Sequence, residues 1–218
     1  MYSQMNSHEH NISVHTSTPT ALLPPRFSAD FAEVDVPLLL RSFAHHSPSF
    51  APALRKWKLG EEYFSGGGAE RGGRIVPVEV YPKAMAKAMA KAKGKGGMSA
   101  KEHVEERTMT LGEFSATYLT KSKSKSSSES IGIGYVAQHS LLEQIDSLGS
   151  DCMSAAEVSA LLPTGSAVTT VNAWIGSEGT VTPLHYDTYE NLFVQLVGTK
   201  FVRLYDKCET GKLYVKEG

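Results

Sequence analysis

Apolar and polar residues alternate most regularly in Ile75-Val-Pro-Val-Glu-Val80, where valines fill every second position. A period of two predicts a half-buried strand, and Pro77 within it predicts an edge position, because proline cannot donate to a ladder. Val36-Pro-Leu-Leu-Leu40 is a short apolar run that predicts a buried strand. Residues 49–57 space their apolar side chains as a helix does, and Tyr63-Phe64 then leads into a turn at Gly66-Gly-Gly68. No lysine–serine pair follows that triple glycine, so it reads as a flexible turn and not as a phosphate loop. Thr110-Leu-Gly-Glu113 has the spacing of a capping box, with Met109 and Phe114 placed to staple across it. Leu111, Phe114 and Tyr118 then share one helical face. Residues 135–145 open as a strand and close as a short helix whose apolar side is Leu141, Leu142 and Ile145. Beyond them, residues 168–175, 191–197 and 200–205 read as successive strands, with glycine turns at 176–179 and at Gly198-Thr199. Short strands joined in this way predict a sandwich or barrel.

Residues 1–30 carry neither period and are rich in Ser, Thr, His and Asn, which predicts a tail. His8, His10 and His15 within it read as solvated side chains. Residues 31–218 then form one domain, interrupted by lysine-rich insertions at about 83–101 and 121–130. The first insertion is low-complexity, with Lys83, Lys87 and Lys91 at helical spacing; the second is a solvated serine–lysine loop.

A length of 218 residues with 41% apolar and 21% charged content is that of an ordinary soluble domain with room for a core. The formal net charge of −1 conceals an uneven distribution. Residues 83–125 hold ten basic and four acidic side chains, so a basic segment is embedded in an acidic remainder. The basic stripe suits a solvated helix better than a nucleic-acid surface. Cys152 and Cys208 form no CxxC, which excludes a disulfide scaffold and a thiolate zinc site. No apolar run approaches the ~20 residues of a membrane span. Ala21-Leu-Leu23 runs at once into Pro24-Pro25, which does not make a secretory leader. The expectation is an intracellular protein of the nucleus or cytoplasm, with no membrane partner.

The segment richest in chemistry is Thr182-Pro-Leu-His185-Tyr-Asp187-Thr-Tyr-Glu-Asn191. On extended backbone, side chains at i and i+2 project to one face, so His185 and Asp187 converge while Tyr186 points away. An imidazole and a carboxylate so placed are two of the three ligands of a facial Fe(II) site. Lys200 follows at the start of the next predicted strand, and a lysine entering a barrel is costly unless it meets an anion. With the Thr182 hydroxyl, the Asn191 amide and Trp174 on the preceding strand, these groups describe a carboxylate-binding pocket beside a metal.

The run from Val171-Asn-Ala-Trp174 through His185-Tyr-Asp187, continued by Asn191-Leu-Phe-Val-Gln-Leu-Val-Gly-Thr-Lys200-Phe-Val-Arg-Leu-Tyr205, resembles the JmjC domain of Fe(II)/2-oxoglutarate-dependent oxygenases. The likeness extends upstream through Val76-Pro-Val-Glu-Val80, Leu111-Gly-Glu-Phe114 and Tyr135-Val-Ala-Gln-His139, and is nearest the small arginyl hydroxylase and lysine demethylase-like branch. The resemblance implies a mainly β fold with α-helical N-terminal elements, a double-stranded β-helix of the cupin or jelly-roll type. It implies that His185 and Asp187 bind Fe(II). Lys200, Thr182 and Tyr135 would hold 2-oxoglutarate, Asn191 would lie near it, and Trp174 and Gln138 would line the pocket. The implied reaction couples O2 and 2-oxoglutarate to hydroxylation or demethylation of a side chain on a protein or peptide, a histone or another nuclear protein among the candidates. Nucleic acid is not the expected substrate, and the oligomeric state, a dimer included, is left open.

One departure qualifies that picture. Family members carry a second histidine ligand well downstream, whereas no histidine follows His185 before Gly218. The barrel is therefore expected to be incomplete at its C-terminal end, and His45, His46 and His139 are poor substitutes as ligands. Three readings follow: a truncated product of an active oxygenase, a catalytically inactive cupin-like protein serving as a binding module, or a barrel completed by a partner chain.

Overall fold

The computed structural model describes residues 13–15, 37–82, 84, 104–120, 132–162 and 165–213. The two lysine-rich stretches, and most of the stretch read as a tail, lie outside them. Its centre is a four-stranded antiparallel sheet ordered β4-β3-β5-β6, built from β3 (Ile75–Tyr81), β4 (Glu105–Thr110), β5 (Ile133–His139) and β6 (Ala173–Gly176). Short helices precede and follow: α1 (Phe43–His46), α2 (Ala51–Lys56), α3 (Glu61–Ser65), α4 (Leu111–Phe114), α5 (Leu141–Gln144), α6 (Asp146–Gly149) and α7 (Ala155–Ser159). A separate parallel pair joins β1 (Ser13–His15) to β2 (Leu38–Leu40). β1 therefore gives part of the predicted tail a strand partner; β2 supplies a strand within the Val36–Leu40 run, but not the buried one expected there, since Leu39 is 46% exposed.

The period of two in β3 produces two faces with different fates. Val76, Val78 and Val80 are buried against Leu111, Phe114, Tyr118, Val136, Leu141, Ile145, Leu148 and Ile175. Each fully buried aliphatic side chain of this kind contributes roughly 1.5–3 kcal/mol. The capping box forms as its spacing predicts: Glu113 N–H donates to Thr110 Oγ1 at 3.1 Å and Thr110 N–H to Glu113 Oε2 at 2.8 Å. It starts α4, which runs on into a π-helical turn at Ser115–Leu119, so Leu111, Phe114 and Tyr118 all reach the core. Met109 packs against the same cluster. Gly134 is needed here, since a Cβ would stand 2.4 Å from the Tyr118 ring.

Several expectations change. β3 is an interior strand, paired with β4 over residues 75–80 and with β5 over residues 79–81. Pro77 is tolerated because the β5 pairing does not reach it, which leaves its missing N–H without consequence. β4, Glu-Glu-Arg-Thr-Met-Thr, has no apolar alternation because residues 105–108 are exposed at the sheet edge, where charges discourage further pairing. The predicted strand over 168–175 shrinks to β6. Residues 191–197 and 200–205 form no strand, although Gly198 does turn with φ 79°. A hairpin without a third strand is marginal, and among the described residues neither segment has a ladder partner. Their side chains are accordingly exposed, Phe201 to 80%, while Leu196 packs beside Ala44, Phe50 and Leu54.

The helical layer is fastened by one buried carboxylate. Asp151, fully buried, accepts from Lys56 Nζ at 2.5 Å, Trp57 Nε1 at 3.1 Å and Tyr63 Oη at 2.5 Å. Its backbone carbonyl takes the Ala53 N–H at 3.1 Å. Burial alone would raise its pKa, but the three donors outweigh it and hold the carboxyl below its ordinary value. Conversely, burial and then the Asp151 bond push the Tyr63 phenol well up. The neighbouring Cys152 thiol is pushed up to about 12 by burial and then by Asp151, so it stays protonated and inert.

Candidate metal and cosubstrate site

The second face of the sheet carries the site. Directly paired residues share a face, so the pairings Glu79–Tyr135, Tyr81–Ile133 and Tyr135–Gly176 align these side chains opposite the core valines. Tyr135 is buried on this face, and Lys200 Nζ donates to its hydroxyl at 3.3 Å. The ammonium also lies 5.8 Å from the Tyr135 ring centroid and 5.4 Å from that of Phe193. Lys200 is thus held between the Tyr135 phenol and the Phe193 ring, and among the described residues no carboxylate is bound to it. Gly176 leaves room for the Tyr135 ring, because a Cβ there would come within 2.8 Å of it.

His185 and Asp187 converge as the i, i+2 spacing predicts, although residues 181–191 lie on irregular chain and not on a strand. Their facing atoms, Nε2 and Oδ1, are 3.8 Å apart, and Tyr186 points away with 86% exposure. His185 Nδ1 lies 2.8 Å from the Pro183 carbonyl oxygen. A carbonyl can only accept, so Nδ1 is the donor in this contact, and in the neutral imidazole Nε2 is the nitrogen left to bind a metal. Asn191 Nδ2 donates to Asp187 Oδ2 at 2.8 Å, which leaves Oδ1 toward His185. A neutral imidazole nitrogen and a carboxylate oxygen are the donor types a divalent metal takes, and His185 and Asp187 would hold one. The donor set therefore fits a divalent metal through two protein ligands. Among the described residues, no three His, Cys, Asp or Glu side chains converge as a metal-binding group.

The remaining expected residues are placed less closely. Thr182 is exposed, and Trp174 is 44% exposed on the site side of β6. Gln138 has φ 48° at an irregularity in the β5–β6 pairing and is exposed. His139 beside it has a buried Nε2 without a hydrogen-bond partner.

Residues missed in the sequence also belong to this face. Glu79 is paired across the sheet with Glu106 on one side and Tyr135 on the other. Desolvation, then the charge of Glu106, raises its pKa. Its alternation with the core valines placed it on the second face, but only the register put it beside Tyr135. Pro183 and Phe193 act through a carbonyl and a ring, for which residue type alone is no signal.

Residues 24–218 match the cupin-like domain family. The chain is 35% identical over 164 residues to a protein named lysine-specific demethylase 8 from Xenopus tropicalis, covering 75% of this chain and 30% of that one. It is 30% identical over 199 residues to the Danio rerio protein of the same name, covering 88% of this chain and 40% of the relative. A lysine-specific demethylase JMJ30 from Arabidopsis thaliana is 41% identical over 81 residues, 37% of this chain and 18% of its own length. The matches thus span well under half the length of these curated relatives. With its antiparallel sheet, flanking helices and near-complete family match, the chain belongs to the cupin-like domain family, in its JmjC branch.

Proposed function

We propose that this chain is a JmjC-type dioxygenase that uses Fe(II), 2-oxoglutarate and O2 to hydroxylate or demethylate a side chain of a protein in the nucleus or cytoplasm. The observation that carries the reading is the orientation of the metal donors, with His185 Nδ1 held on Pro183 O and Nε2 left facing Asp187. His185 and Asp187 would hold the metal. Lys200, steered by Tyr135 and Phe193, would offer its ammonium to one carboxylate of 2-oxoglutarate, with Tyr135 and Thr182 as hydroxyl donors. Bound iron with 2-oxoglutarate supplies the oxidising chemistry by which a C–H bond is hydroxylated. The chain's own contribution is to fix ligands, orient the cosubstrate and keep the inner side of Tyr135 dry. The names of the relatives support a protein substrate. The partly desolvated Glu79 beside Tyr135 favours a cationic side chain on that substrate.

The convergence of only two ligands among the described residues favours a second reading, a cupin-like binding module without turnover. Succinate formation from 2-oxoglutarate, followed in the purified chain with added Fe(II), separates the two. Metal-dependent turnover lost in His185→Ala supports the oxygenase. Equal background in parent and variant leaves the binding module.

A further inference from the structure

The segment bearing His185 and Asp187 has no ladder of its own, so its position depends on a few individual tethers. Ser177 N–H donates to Gly134 O at 3.0 Å and Gly134 N–H to Ser177 Oγ at 3.2 Å, which anchors the end of β6. The next tether is Val181 N–H, which donates to the hydroxyl of Tyr81 at 2.9 Å across a separation of 100 residues. Beyond it, among the described residues, the polar contacts of residues 182–199 are internal to the segment, among them His185–Pro183 and Asn191–Asp187, until Lys200 reaches Tyr135. Tyr81 is 4% exposed at the end of β3, opposite Ile133 and on the same face as Tyr135. Burial is the main cause that raises its pKa, with the Val181 bond acting the other way, so the phenol is neutral and its oxygen is free to accept.

We propose that Tyr81 is a positioning residue for the metal-ligand segment. Its hydroxyl holds the chain at Val181, four residues before His185, and thereby sets where the His185–Asp187 pair lies relative to the sheet. This inference rests on the reading of His185 and Asp187 as metal ligands. Its mechanical half, the tether itself, can be measured without metal.

The experiment compares the parent with Tyr81→Phe, Val181→Pro and His185→Ala. Phenylalanine keeps the buried ring and removes only the acceptor, and proline removes the donor from the other side of the same bond. Amide hydrogen exchange is read in metal-free protein, and Mn(II) binding by titration. In Tyr81→Phe, exchange at Val181 is expected to rise about tenfold, with several-fold weaker Mn(II) binding, as the loss of one hydrogen bond implies. Val181→Pro should reproduce the weaker Mn(II) binding. His185→Ala should abolish Mn(II) binding while Val181 stays protected. Unchanged exchange in Tyr81→Phe overturns the proposal, and so does unchanged Mn(II) affinity in that variant when the parent binds. If parent and His185→Ala take up Mn(II) equally poorly, the metal reading has failed, and with it the positioning role toward a metal, whatever the exchange shows.

Discussion

Lys200 Nζ stands 3.3 Å from the hydroxyl of Tyr135, joining an irregular segment to a buried strand residue 65 positions earlier. No ladder enforces this contact. The phenol gives a long, flexible cation one direction to point, and Phe193 closes the other side. On the proposed reading, the pair would serve as a prepared anion site. Lys200→Met is expected to weaken 2-oxoglutarate binding by about 10- to 100-fold, the range for a charge-assisted hydrogen bond. Tyr135→Phe is expected to weaken it several-fold. Calorimetric titration with 2-oxoglutarate in the presence of Mn(II) reads both, and an unaltered affinity in Lys200→Met would falsify the assignment.

The backbone of β6 protects that arrangement. A Cβ on Gly176 would lie 2.5 Å from Thr180 Cγ2 and 2.8 Å from the Tyr135 ring, closer than real contacts allow. Gly176→Ala should therefore displace the ring from Lys200 while leaving the opposite, valine-lined face intact. The expected outcome is a loss of 2-oxoglutarate affinity comparable to Tyr135→Phe. A Tyr135→Phe/Gly176→Ala double variant should fall short of additivity, because both changes act through one contact.

Asn191 controls Asp187 in the same indirect way. Its amide donates to Oδ2 at 2.8 Å, and without it the carboxylate is free to rotate on a half-exposed side chain. Asn191→Ala is expected to weaken Mn(II) binding by about 10-fold, at the lower end of the effect of losing a ligand's outer partner. Asp187→Ala should abolish binding outright. Mn(II) titration of the two variants beside the parent checks this, and equal affinities for Asn191→Ala and parent would remove Asn191 from the site.

How far the sequence discloses all this depends on the range over which each feature is determined. The Thr110–Glu113 capping box is complete within four residues, and it forms as written. Convergence of His185 with Asp187 is also local, needing only extended backbone between them. The Lys200–Tyr135 contact is long-range, and its reading came from resemblance for Tyr135 and from the cost of an unpaired cation for Lys200. β4 escaped notice because an edge strand exposed on both sides has no apolar period to display. Residues 191–205 show the opposite failure: a strand-like pattern is necessary for a strand, but pairing is supplied by another segment. Asp151 was invisible for a related reason, since its three donors lie 88–95 positions away and nothing near it in sequence signals burial.

That buried carboxylate gives the fold a pH dependence whose sign is fixed. Its folded-state pKa lies below the ordinary aspartate value, so its contribution is complete above the unfolded value of about 3.9 and fades as pH falls through the folded one. Asp151→Asn keeps the volume but turns an acceptor for three donors into a group that must present its own N–H bonds to one of them. The variant is expected to lose about 2–4 kcal/mol at neutral pH, less than a wholly buried ion pair because Lys56 is 40% exposed. Below about pH 4 the gap between parent and variant should narrow, as the parent's unfolded chain takes up a proton at Asp151 that the folded state resists. Denaturant unfolding at pH 7 and at pH 3.5 measures both gaps. A gap that stays constant across that range would mean Asp151 stabilises the helical layer by its shape and not by its charge.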